Sequence, residues 1–89
     1  MDAYSFIEYL LKHASTEPEK VSEIYLEMLG AGVYPDFKQK DIEELVQILY
    51  DQGQKENADK ICNMYGKKGF DFLRTIYQKH RTANSIEQT

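Results

Sequence analysis

Cysteine occurs once in the 89 residues, at Cys62, so no intrachain disulfide can staple the fold. No Asn-x-Ser/Thr acceptor for glycosylation is present either. No apolar run approaches the roughly 20 residues that a membrane-spanning helix needs. Met1-Asp2-Ala3 opens on an acid instead of a basic segment, so no secretory leader is expected. These gaps together point to a reducing cytoplasm, of a cell or of a host, and away from the membrane. Ligand-binding motifs are as scarce. His13, His80 and Cys62 show no C-x-x-C or H-E-x-x-H spacing, so no metal site is expected. Gly30-Ala31-Gly32 lacks the preceding strand and third glycine of a dinucleotide fingerprint. Gly66-Lys67-Lys68-Gly69 lacks the phosphate-loop spacing and its Ser/Thr. Both read as helix stops, and no cofactor is expected.

What the chain does have is an apolar period of 3.6. At 42% hydrophobic and 29% charged it has an ordinary globular composition, with length for one domain. Ile7, Leu10, Leu11 and Ala14 predict a helix over 4–14, with Ser5 and Glu8 as its capping box. Thr16 and Glu19 form a second box, with Pro18 in the first turn and Val21, Ile24, Tyr25, Met28 and Leu29 as the buried stripe. Gly30 is expected to end this helix in the left-handed conformation. After a connection over 30–37, Asp36 is the expected cap of a third helix bearing Ile42, Leu45, Val46, Leu49 and Tyr50, ended by Gly53. Ala58, Ile61, Cys62 and Tyr65 give a fourth helix, ended by Gly66. Phe72, Leu73, Ile76, Tyr77 and His80 give a fifth. The expected fold is all-α, a compact bundle of about five short antiparallel helices. It forms a single domain over 1–81, with a flexible tail over 82–89.

Two stretches resemble known helical families. Glu27-Met28-Leu29, then Gly32-Val33-Tyr34-Pro35-Asp36, then Leu45, Leu49, Gly53, Ala58 and Ile61 are similar to pentatricopeptide or tetratricopeptide helical-hairpin repeats. This resemblance covers residues 24–64 and implies stacked helical hairpins. Asn57-Ala58-Asp59-Lys60-Ile61 and Lys68-Gly69-Phe70-Asp71-Phe72-Leu73 resemble the last two helices of caspase-recruitment domains, which implies a compact bundle. Neither resemblance assigns a site residue.

Catalytic groups are few. Cys62 and His80 would make a nucleophile–base pair if they met. Cys62 shares the apolar face of its helix, however, where a free thiol acts as a small hydrophobe. His80 sits near a helix C-terminus, where a cation is favoured. Asp41, Glu43 and Glu44 load the start of the third helix, where the dipole favours acids. The chain is therefore not expected to be an enzyme.

Charge is unevenly spread. Residues 1–54 hold 4 basic and 11 acidic residues, a net of −7. Residues 55–81 hold 7 basic and 3 acidic, a net of +4, and Glu87 brings the chain to −4. Such a dipolar surface suits steering of a charged partner or head-to-tail self-association. Helical geometry also leaves Tyr9, Leu26, Ile48 and Met64 off the centres of their buried stripes, as candidate partner-binding residues. The expected function is a non-catalytic protein–protein interaction module: an adaptor, inhibitor or immunity-type factor. The alternative is a small nucleic-acid-associated regulator. It would contact phosphates through Lys67, Lys68, Arg74 and Arg81, with the fourth and fifth helices as a helix-turn-helix.

Overall fold

Five helices form where the apolar period runs: α1 (Ala3–His13), α2 (Pro18–Gly30), α3 (Gln39–Asp51), α4 (Lys55–Lys67) and α5 (Arg74–Glu87). The structure is a computed structural model that describes residues 2–87, the side chains of Ala3 and of residues 82–87 excepted. No strand occurs among the described residues. Of the expected tail over 82–89, residues 82–87 belong to α5, while Gln88 and Thr89 lie outside the described residues.

Most helix ends differ from the sequence expectation by a residue or more. Asp2, not Ser5, caps α1: its carboxylate accepts the Ser5 amide at 2.8 Å, which holds the Asp2 carboxyl below its usual range. Thr16 turns back to the His13 carbonyl, leaving Glu17 as a cap without a side-chain bond at the start of α2. Pro18 opens that helix, where its missing N–H is no loss. Lys38, not Asp36, precedes α3, in the left-handed region at φ 52°.

At two C-termini the glycine stop falls later than expected, by two residues at Gly32 and by three at Gly69. Gly30 and Gly66 are helical, and Gly32 and Gly69 take positive φ, 90° and 91°. Each then closes a Schellman motif. Gly32 N–H donates to the Leu29 carbonyl and Val33 N–H to that of Met28, at 2.9 and 3.1 Å. Gly69 N–H donates to Gly66 and Phe70 N–H to Tyr65, both at 3.0 Å. Gly53 ends α3 in the same way, as its position predicts. The fifth helix starts only at Arg74, because the Schellman turn carries the chain out through Phe70, Asp71, Phe72 and Leu73.

The stripes meet in one core. Ile7, Leu10, Ala14, Val21, Tyr25, Leu29, Ile42, Leu45, Val46, Leu49, Ala58, Ile61, Tyr65 and Leu73 are buried. The broadest contacts skip a helix: α1 lies against α3 and α2 against α4, while α5 lies against both α3 and α4. The result is a helical bundle in which the α1–α2 hairpin stacks on the α3–α4 hairpin. The Cα radius of gyration, 12.5 Å, is close to the ~12 Å of a single compact domain of this length. No helix of the described residues is long and apolar enough to cross a membrane.

Polar ties join the α2–α4 layer at two levels. Ser22, fully buried, donates its hydroxyl to the Glu19 carbonyl at 2.8 Å and accepts the Asn57 amide at 2.8 Å. Further along, the Tyr25 and Tyr65 hydroxyls lie 2.8 Å apart. Both ties run in the same chain order, so α2 and α4 are parallel, as alternating helix directions require.

Candidate functional site

Tyr9, Leu26, Ile48 and Met64 lie on four different helices, α1 to α4. Leu26, Ile48 and Met64 are half-buried and pack against the core. Tyr9 alone is exposed, at 45%, with its ring 4.5 Å from that of His13. Leu26, Ile48 and Met64 fill the flanks of the stripes, because helices covered on two sides bury more than one face.

A contiguous exposed aromatic patch forms instead between α1 and the start of α3. Tyr4 and Phe37, 43% and 41% exposed, stack with centroids 6.0 Å apart and planes inclined by 15°. The Lys38 ammonium sits 4.0 Å from the Tyr4 ring centre and binds Glu8 at 3.1 Å and Asp41 at 3.5 Å. Its contact with Tyr4, then its hydrogen bond to Glu8, raise the Lys38 pKa above the lysine range. The left-handed turn at Lys38 aims this side chain back at α1. Nothing in the sequence marks that turn, so the patch was not legible beforehand. Val33, 46% exposed, lies on the same α2–α3 connection.

At the α3–α4–α5 junction the chemically active groups are all engaged with one another. Tyr50 donates its hydroxyl proton to Asp59 at 2.5 Å, and Lys55 binds the other Asp59 oxygen at 2.8 Å. With its proton committed, the Tyr50 oxygen is left to accept from Cys62, whose sulfur is 3.8 Å away. Burial pushes the Cys62 thiol up to about 11. His80 stacks on Tyr50, with centroids 4.0 Å apart and planes 6° from parallel. Gln47 Nε2 lies 3.0 Å from His80 Nε2 and 3.0 Å from Asp51 Oδ1. An amide nitrogen can only donate, so His80 Nε2 accepts and the ring is neutral with its proton on Nδ1. Burial lowers its pKa, and the Lys79 charge adds to this. Tyr50 therefore stands between Cys62 and His80, and the two do not form a nucleophile–base pair. Among the described residues no group of His, Cys, Asp and Glu is placed to hold a metal ion.

The four cations of the alternative reading, Lys67, Lys68, Arg74 and Arg81, are all exposed. Lys68 lies over the Tyr34 ring, 5.3 Å from its centre. The connection between α4 and α5 runs from Lys68 to Leu73, longer than the 3–4 residues of a helix-turn-helix turn. Arg74 stands on a groove of about 360 Å³ between α4, this connection and α5.

No protein-family model matches the chain, and no curated protein or solved structure is similar enough to count as a match.

Proposed function

We propose that this chain is a non-catalytic protein-binding module that holds its partner through the exterior of a stack of helical hairpins. The observation that carries this reading is the Tyr4–Phe37 pair, with Tyr9 exposed on the same helix as Tyr4. Tyr and Phe are enriched at protein interfaces, and tyrosine is among the commonest energetic anchors there. Lys38 holds the pair in place before any partner arrives, which reduces the entropy cost of binding. The skip-one packing of α1 on α3 and α2 on α4 supports an affinity with helical-hairpin repeats over a caspase-recruitment-like bundle. The free buried thiol of Cys62 supports a cytoplasmic setting.

The test is capture of a partner from the source cell by the immobilised protein. A Tyr4→Ala/Phe37→Ala variant that keeps its helical content is expected to lose capture. Unchanged capture by that variant would remove the patch from the account. Charged substitutions at Leu26 and Ile48 would test the fold as much as binding, because both pack on the core.

The nucleic-acid reading keeps one observation in its favour, the exposure of Lys67, Lys68, Arg74 and Arg81. Its mark would be salt-dependent binding of DNA or RNA that is lost when Arg74 and Arg81 are reversed.

A further inference from the structure

A glycine inside a helix costs roughly 1 kcal/mol relative to alanine. At Gly66 nothing in the fold requires that cost: its φ is not positive, and an added Cβ would meet no atom within 4 Å. The helix-ending conformation is taken by Gly69, three residues later, and a Cβ there would also point into open space. What both glycines do is line the groove between α4 and α5. Phe70 and Tyr77 give it apolar surface, and Asp71 and Arg74 give it one charge of each sign. Among the described residues neither Asp71 nor Arg74 is in an ion pair, whereas Lys38, Lys55 and Lys60 are. The groove volume, about 360 Å³, is at the small end of the range for ligand sites, enough for one or two side chains.

We infer that this groove takes a short acidic peptide segment of a partner protein. One apolar side chain seats over Gly66 and Gly69 against Phe70 and Tyr77, and a neighbouring carboxylate meets Arg74. Bare glycine backbone lets the segment approach more closely than any side chain would allow. Charge selects the acidic class: residues 55–81 hold 7 basic against 3 acidic residues, and Lys67 and Lys68 adjoin the groove's glycines. Asp71 gives a peptide amide an acceptor, but it repels a phosphate strand. An extended polyanion would also meet the −7 charge of residues 1–54. A segment confined to the groove is shielded from that charge beyond about 8 Å at physiological salt. The inference rests on the protein-binding reading in taking the ligand to be a protein segment.

The probe is a short capped peptide of alternating glutamate and leucine, with a lysine–leucine counterpart and a single-stranded oligonucleotide as competitors. Binding is followed on the amide resonances of Gly66 and Gly69 in the full chain. The acidic peptide should shift both resonances, and the basic peptide should not. Gly66→Leu fills the groove at a helical position with open space, so the fold should persist and affinity should fall at least about tenfold. Arg74→Glu should weaken the acidic peptide and admit the basic one. Gly30→Ala, at a helical glycine outside the groove, should leave binding unchanged. No shift with the acidic peptide, or the same affinity in Gly66→Leu, would overturn the inference. Binding of the oligonucleotide in place of the peptide would overturn it in favour of phosphate recognition. If partner capture survives Gly66→Leu but is lost in Tyr4→Ala/Phe37→Ala, the groove proposal falls and the protein-binding reading stands. If capture survives both, the groove and the Tyr4–Phe37 patch both fall, whereas a wild-type chain that captures no protein removes the protein-binding reading itself.

Discussion

Two tyrosine hydroxyls sit at different junctions between helices, and they are held in opposite ways. Tyr65, between α2 and α4, donates to the Pro35 carbonyl at 2.7 Å and lies edge-on to Tyr25, Tyr34, Phe70 and Phe72. Because its one proton goes to Pro35, the neighbouring Tyr25 must be the donor in their mutual bond. Burial pushes the Tyr65 hydroxyl up to about 12, so no group in this knot changes charge near neutral pH. Tyr50, between α3 and α4, also has its ionisation pushed up by burial, but it donates to an ion-paired carboxylate and carries a histidine on its ring. One junction is a neutral clamp that also fixes the α2–α3 connection. The other is ionic, more exposed and sensitive to acid. The α2–α4 layer is therefore expected to be the rigid half of the fold, and the seat of α5 the adjustable half.

The largest effect that tests this contrast is at Tyr65. Tyr65→Phe leaves the Pro35 carbonyl and the Tyr25 hydroxyl without partners at a buried site, and should cost about 2–3 kcal/mol in denaturant unfolding. Tyr25→Phe removes only a donor whose acceptor stays bonded to Pro35, and should cost about 1 kcal/mol. Equal losses in the two variants would contradict the assigned donor order.

Acid should act on the other junction. His80 has a folded pKa below its ordinary value of 6.5, so the unfolded state takes up the proton first. Stability is then expected to fall as pH drops from about 6.5 toward the folded pKa, with no such loss above it. Protonated His80 can no longer accept from Gln47, so α5 should loosen first, read as faster amide exchange in residues 74–81 than in α2 or α4. His80→Gln should flatten this dependence. The smallest effect is at Cys62. With its thiol pushed up to about 11 and buried, it should label slowly at neutral pH and rapidly in denaturant. Fast labelling of the native protein would mean that the seat of α5 opens readily.

The helices and their buried faces were legible in the sequence because burial follows a simple period: Ile7, Leu10, Val21, Tyr25, Leu45, Leu49, Ile61 and Tyr65 are all in the core. The helix ends were not, because a cap is a competition among neighbouring polar groups. Thr16 could bond forward or back and bonds back to His13. Gly30 and Gly66 were as eligible as Gly32 and Gly69 until the Schellman bonds selected the latter pair. The surface was the least legible part. Tyr4 and Phe37 are brought together by a left-handed lysine that no propensity marks, and Ser22 and Asn57 meet only once α2 and α4 are stacked. Residues chosen as departures from a stripe, such as Leu26 and Ile48, proved partly buried, because one stripe understates what a helix between two neighbours covers.

The proposed partner binding is made by apolar and short-range contacts, not by neutralising a phosphate backbone. Its most direct test is the affinity for the captured partner as a function of salt, in the wild type and in the Arg74→Glu/Arg81→Glu variant. A protein partner and a shallow log–log dependence are expected, since aromatic anchors are not screened. Tyr4→Ala/Phe37→Ala should lower affinity at every salt concentration. A nucleic-acid ligand with a steep slope, about −0.9 for each duplex phosphate contacted and lost in the arginine variant alone, would contradict it.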